Sequence, residues 1–381
     1  LSKLGYSTTD GRHLPRGRYD RPLRSGNKAR IHLLENKSRP AGRPEELGLG
    51  LTIYLHAVGH FHPENEITNQ FLEELDIGTN NEWIIERVGI RSRRTVLPLD
   101  YIRQTKNQQV AAGLEAQIYR NDETGARAAM VALERAGVSK QEIGLVIGGT
   151  SVAERITPAE GCKIAAKLEI EAPAFDINSA CTSLHAALHT LSCMIPEKIP
   201  DFVLIVVPEN CTPNVSYTDR ASAVLWGDCA VAAVISTKVP SRIQMLGNTF
   251  GSSPVGHGKV VVPRMGHFFQ EGRTVQKFAI SRTVTLVKEL QERYLTPERR
   301  FHFVGHQANL LMLDNVCERC EIPADRHHCN MEYFGNTASA GSASVISMNW
   351  DNWTAGDDIG VAGVGAGLSW SSYLLRVGEK P

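Results

Sequence analysis

No run of eighteen apolar residues occurs in this 381-residue chain, so a membrane-spanning helix is not expected. No charged segment leads into an apolar one in the manner of a secretory leader. Net charge is also lacking, since 41 Lys and Arg balance 41 Asp and Glu. The 8 cysteines are scattered rather than gathered into a short framework. That spacing argues against a small disulfide scaffold and fits a reducing, cytoplasmic setting. What is there is ordinary for a globular enzyme: 42% hydrophobic, 22% charged, and long enough for two domains or two fused halves.

The charge is unevenly placed. Residues 1–50 hold 11 Lys and Arg against 5 Asp and Glu, an excess of +6 that leaves −6 on the rest. A basic arm can serve nucleic acid. This one is rich in Arg, Gly and Pro and shows no helix or strand period, which disfavours a packed core. Residues 1–50 are therefore expected to be a disordered or non-native extension, with no nucleic-acid partner.

From Leu51 onward strands and helices alternate. TIYLHAVGHF reads as a strand, and NEITNQFLEEL as a helix capped by Asn65. Asp122 to Gly137 reads as a helix closed by Gly137. IGLVIGGTS, APAFDIN, FVLIVVPEN and the end of SAVLWGDCAVAAVIS read as strands. In the second half, Thr283 to Tyr294 and LLMLDNVCERC read as helices. FHFVGHQAN, DDIGVAGVGAG and WSSYLLRV read as strands, and HHCNMEYF as a further one. This order predicts an α/β protein whose sheets are covered on both faces. IGLVIGGTS and FHFVGHQAN look like counterparts in a duplicated fold.

Four places could carry chemistry. In DINSACTSLHAALHTLSCM and the residue after it, Leu184, Ala187, Leu188, Leu191 and Ile195 make one apolar helical face starting near Cys181. A thiol at a helix N-terminus is pushed towards thiolate, yet a free cysteine is also often plain core. By itself the segment leaves both readings open. His306, in GHQAN, stands at a strand exit, where α/β sites lie. Asn336, in YFGNTASAGSAS, precedes a run of small residues and could aim an amide into a cleft. The glycines of GVGAGLSW allow a turn whose N–H groups face a ligand.

Taken together, these segments resemble the β-ketoacyl-acyl-carrier-protein synthase III family, condensing enzymes of the thiolase superfamily. The resemblance covers about residues 51–381 and rests on WIIERVGIRSRR, DINSACTS, YTDRASAVLWGD, GHQAN, FGNTASAGSAS and GAGLSW. It implies a thiolase-like five-layer αβαβα fold of two pseudo-repeated halves. Residues 51–237 would carry the nucleophile, and 238–381 the His and Asn. A cytoplasmic homodimer is implied, with no metal, no redox cofactor and no membrane partner.

The resemblance also assigns roles. Cys181 would take the acyl group of an acyl-CoA primer. The backbone N–H groups of Cys181 and Ala366 would form the oxyanion hole, Ala366 standing where the family more often has glycine. His306 and Asn336 would stabilise the enolate left when malonyl-acyl-carrier-protein or malonyl-CoA loses carbon dioxide. Trp83 and Arg220 match the residues that sandwich the adenine of coenzyme A, and Arg87 a neighbouring basic contact. Asn309 is expected on the same substrate path. Leu311 stands where many members have an arginine for the acidic carrier protein, a gap that Arg319 or Arg326 could fill. Thr157 stands where many have a phenylalanine closing the partner subunit's acyl pocket, which suggests room for a medium or longer chain.

Other readings stay open. A specialised relative in secondary metabolism would share these residues, and a thiol-dependent thioester hydrolase also uses Cys, His and Asn. A non-catalytic scaffold subunit would be expected to lack the nucleophile. Cys317 and Cys320, followed by His327, His328 and Cys329, have a spacing that zinc could use. The family has no metal there, and none is expected here.

Overall fold

Every residue of Cys229–Ser236 is buried. A strand with no wet face needs cover on both sides, and the fold supplies it. The structure, a computed structural model, describes residues 51–379, and the expected basic extension lies outside them. Nine strands build the main sheet: β1 (Ile53–Phe61), β2 (Ile143–Gly148), β3 (Ala174–Asp176), β4 (Phe202–Glu209), β5 (Cys229–Ser236), β6 (Ile243–Ser252), β7 (Arg300–Gly305), β8 (Asp357–Gly365) and β9 (Ser369–Val377). The helices that matter below are α1 (Asn81–Val88), α2 (Asn121–Ala136), α3 (Glu160–Leu168), α4 (Ser183–Ser192), α5 (Gly272–Tyr294), α6 (Leu310–Arg319) and α7 (Gly341–Met348).

The strand order is β7-β8-β9-β6-β1-β5-β4-β2-β3. The first five strands run 3-2-4-5-1 across their half. The second half repeats that order, with an isolated bridge from His327 to Phe303 in place of its third strand. The counterparts IGLVIGGTS and FHFVGHQAN fall on β2 and β7, the same position in each half. The halves meet edge to edge, because Ile53–Leu55 of β1 pairs with Ile243–Met245 of β6. Residue 237 lies in the link from β5 to β6.

Alternation along the strands makes the layers. Val203, Ile205, Val207, Val231, Ala233 and Ile235 join one core with Leu184, Leu188 and Leu191 of α4 and Ala343 and Ile346 of α7. The residues between them, Leu204, Val206, Ala230, Ala232 and Val234, join another with α2 and α3. Strands of both halves touch α4 and α7, while α5 and α6 cover the outside of the second half. The result is five layers, helix, sheet, helix, sheet, helix. Truncating a core leucine of α4 to alanine is expected to cost about 2–5 kcal/mol.

Two local expectations are corrected. Asn65 does not cap a helix. Asn65–Thr68 forms a short ribbon with Ser92–Thr95, because the alternation buries Ile67 alone, and Thr68 caps the helix Asn69–Glu74 through its bond from the Phe71 N–H. HHCNMEYF does not form a strand: Met331–Phe334 makes a helical turn. The Asn330 side chain donates to Ser344 Oγ (2.9 Å), and its N–H donates to Gln307 Oε1 (3.1 Å), so side chains take over the bonds of a ladder. The helix read from Thr283 starts earlier, at Gly272. The Asp122–Gly137 helix ends as expected, with Gly137 at φ 65°.

Candidate active site

The candidate residues converge where strands end. Cys181 follows β3, Glu209 ends β4, His306 follows β7 and Ala366 follows β8. Asn336 reaches the same place from the loop before α7.

Cys181 sits in a tight turn, Ala180–Thr182, two residues ahead of α4. Ala180 is held at φ 48°, a conformation that costs a non-glycine residue about 1 kcal/mol or more. The Asn178 side chain accepts from the Ala180 N–H (2.9 Å), and Ser183 Oγ accepts from the Ser179 N–H (2.9 Å). The sulfur faces a cavity of about 200 Å³ whose walls include Val152, Cys211, Val215, Trp226, Val262 and Phe268. Burial pushes the thiol up to about 12, helped by the negative charge of Glu209, against the N–H groups of Cys181 and Ala366. Burial thus opposes the pull of the helix end towards thiolate.

Asn336 occupies a twin of this turn. Its Oδ1 accepts from the Ala338 N–H (2.9 Å), Ala338 has φ 47°, and a tight turn, Ala338–Ala340, leads into α7. NTASAG at 336–341 repeats NSACTS at 178–183, so Ser339 stands where Cys181 does. Because a backbone N–H donates to it, the facing atom must be oxygen, which leaves the Asn336 NH2 as the free donor. The first turns of the two buried helices touch, the Leu184 N–H donating to Ser339 Oγ (3.0 Å).

His306 is buried, and its N–H donates to Ala362 O (2.9 Å) on β8. Burial lowers its pKa to about 4, so the ring is neutral near pH 7 and offers one N–H. His306 and Asn336 are not among the walls of the Cys181 cavity.

The glycine-rich turn is fitted to the nucleophile. A Cβ on Gly365 would stand 3.3 Å from the backbone nitrogens of both Cys181 and Thr182. Ser369 Oγ ties the turn down, lying 2.8 Å from Thr182 Oγ1 and 3.1 Å from Ala366 O. Both N–H groups named for the oxyanion hole thus act on the Cys181 sulfur.

One residue escaped the sequence reading. Glu209 is 0% exposed, takes four hydrogen bonds and lies close enough to Cys181 to act on its thiol. The available signal was a carboxylate ending the apolar run FVLIVVPE.

The outer residues divide. Arg87 and Arg220 each lie over the Trp83 ring, 4.8 Å from its centre. Asn309 is occupied structurally: Oδ1 caps α6 through the Met312 N–H (3.1 Å), and Nδ2 donates to Arg87 O (3.0 Å). Leu311 and Arg319 are exposed on α6, whereas Arg326 is engaged with His302 and Asp325. Thr157 is exposed and does not wall this chain's own cavity. Among the described residues no three His, Cys, Asp or Glu are grouped to hold a metal. His327 stacks on Phe303, and His328 Nε2 meets His302 Nδ1 at 2.9 Å. No helix among the described residues is long and apolar enough to cross a membrane.

Known proteins resemble this chain in sequence and fold. Residues 175–254 match the family model of 3-oxoacyl-[acyl-carrier-protein] synthase III, and residues 290–377 match the model of its C-terminal part. The β-ketoacyl-[acyl-carrier-protein] synthase III of Gloeobacter violaceus is 32% identical over 351 residues, spanning 86% of this chain and 99% of that protein. That of Aliarcobacter butzleri is 31% identical over 340 residues, spanning 84% and 96%. The crystal structure of 3-oxoacyl-[acyl-carrier-protein] synthase III from Aquifex aeolicus matches with a TM-score of 0.75 at 26% identity, over 85% of this chain and 99% of that one. The chain therefore belongs to the β-ketoacyl-acyl-carrier-protein synthase III family of the thiolase superfamily and is an acyl-transferring condensing enzyme.

Proposed function

We propose that Cys181 carries the acyl group of an acyl-CoA primer, which then condenses with a malonyl thioester on acyl carrier protein or coenzyme A. The observation that carries this reading is the glycine turn packed on the nucleophile turn, a Cβ on Gly365 standing 3.3 Å from the Cys181 nitrogen, with Cys181 and Ala366 lining one largely apolar cavity. The N–H groups of Cys181 and Ala366 stabilise the oxyanion formed when the sulfur attacks a thioester. Coenzyme A leaves with the thiol proton, and Cys181 keeps the acyl group. The neutral His306 and the Asn336 NH2 donate to the malonyl carbonyl oxygen as carbon dioxide departs. The enolate attacks the acyl-Cys181 carbonyl, gives a 3-oxoacyl thioester and expels the sulfur as a thiolate, which takes a proton from water to return to the thiol. Apart from that proton, these steps use only the chain's own groups and the two thioesters.

The acyl chain belongs in the 200 Å³ cavity, because His306 and Asn336 stand outside its walls. Its apolar lining and volume suit a chain longer than acetyl. Trp83 and its two arginines are positioned for the adenine, which would replace one guanidinium on the indole. Asn309 caps α6 through Oδ1, and Nδ2 keeps a second N–H for the substrate path. A homodimer suits the free side of the edge strand β3, where Phe175 is 38% exposed, and Ile156 beside Thr157 is 73% exposed.

Intact-mass measurement after incubation with acyl-CoAs of graded length tests the loading step, with the largest adduct expected above acetyl. Cys181→Ala should form no adduct. His306→Ala and Asn336→Ala should load normally but release carbon dioxide from malonyl thioesters at least about a hundredfold more slowly. Thioester hydrolysis without carbon dioxide release would refute condensation.

A further inference from the structure

We propose that Glu209 is a positioning residue for the condensation: its carboxyl locks the wall of the Cys181 cavity to the Asn336 turn. The inference rests on the reading of Cys181 as the acyl carrier. Oε2 of Glu209 accepts from the Ser151 N–H (2.9 Å) and the Thr150 hydroxyl (3.3 Å). Oε1 accepts from the Ser151 hydroxyl (3.0 Å) and the Ser339 N–H (3.3 Å). Ser151 and Val152 wall the cavity. Ser339 lies three residues beyond Asn336, and its hydroxyl receives the Leu184 N–H of α4. One carboxyl thus spans the loop after β2 and the Asn336 turn and, through Ser339, reaches the helix that follows Cys181.

The chemistry of the donors explains why a carboxylate stands here. Each oxygen faces one backbone N–H, which can only donate. A glutamine amide must turn its NH2 towards one of them and leave it unpaired. The bonding partners of Glu209 are all uncharged. Burial raises the Glu209 carboxyl to about 8. Near pH 7 its proton can be donated to the hydroxyl of Thr150 or Ser151, so both backbone N–H groups stay paired in either protonation state.

The test compares the native enzyme with Glu209→Gln. Two quantities are measured: the single-turnover rate of Cys181 loading from acyl-CoA, read by intact mass, and kcat and KM for condensation separately. In the folded variant kcat should fall about tenfold or more, while the loading rate and the KM for acyl-CoA change little. Glu209→Asp keeps the carboxyl but withdraws it by one methylene, so it should restore part of kcat. A folded Glu209→Gln that keeps the native kcat, or that loses loading as much as condensation, overturns the proposal. If Glu209→Gln does not fold, Glu209→Asp decides: lowered kcat with near-native loading supports the proposal, and native kcat or loss of fold overturns it. A native enzyme that loads no acyl group on Cys181 overturns the underlying reading instead.

Discussion

Gly365→Ala probes the oxyanion turn without touching a functional side chain. Its new methyl would lie 3.0 Å from Ser369 Oγ and 3.3 Å from the nitrogens of Cys181 and Thr182. The serine hydroxyl could rotate only by giving up its contacts with Thr182 Oγ1 and Ala366 O. The two nitrogens belong to the strained nucleophile turn and have no freedom to yield. Relief must come from the glycine turn receding by a few tenths of an ångström, and the Ala366 N–H recedes with it. Losing a whole oxyanion donor costs about 10²–10³ in rate, so a partial retreat should slow acylation about tenfold to a hundredfold. Overpacking should lower stability by about 1–3 kcal/mol. The assay is single-turnover formation of acyl-Cys181, quenched and read by intact mass, with thermal melting in parallel. Gly258→Ala is the control, since nothing lies within 4 Å of its added methyl. A folded Gly365→Ala enzyme that acylates at the native rate would show that Ala366 is not the second donor.

Other expectations concern the entrance and the pH response. Trp83→Ala removes the ring beneath Arg87 and Arg220 and should raise the KM for acyl-CoA about tenfold with kcat nearly constant, corresponding to about 1–2 kcal/mol of stacking. An unchanged KM would place the adenine elsewhere. The stability difference between the native enzyme and a folded Glu209→Gln should fall as pH rises from about 6.5 to 8.5. Glu209 keeps its proton up to about 8 in the native state but only to 4.5 when unfolded. Its contribution is therefore complete below 4.5 and is lost as pH climbs through 8, about 2 kcal/mol over this window. His306 and His185, lowered to about 4 and about 3, gain stability over the same window, but they do so in both proteins and cancel in the difference. A urea-derived difference that stays level or rises over that window would refute the assignment.

Some features were legible because they are written locally. The apolar spacing after Cys181 marks a helix, and the structure starts it only two residues later. The all-apolar runs mark strands buried on both faces, and both β4 and β5 are buried almost throughout. Gly137 closes its helix because a left-handed residue is needed there. Asn65 misled because a polar residue before an apolar run suits a cap and a ribbon equally. The choice fell to Ser92–Thr95, a partner strand some thirty residues away. The duplication was read from IGLVIGGTS and FHFVGHQAN, whereas the match of NSACTS with NTASAG emerged only once Ala180 and Ala338 were seen to share a φ angle.

Residue order and type were enough to specify an α/β chain of two similar halves and to single out Cys181, His306, Asn336 and the glycine turn. Periodicity and strand-exit position are properties of short segments and survive without a partner. The surroundings of Cys181 and Glu209 were decided only by folding. A helix end favours a thiolate, but the thiol's pKa depends on how much water the whole fold removes and which charges it brings near. Glu209 looked like the end of a strand until its oxygens met Ser151 and Ser339, residues 58 and 130 positions away. Desolvation and long-range hydrogen bonds are sums over the tertiary structure, and no local stretch of sequence contains them.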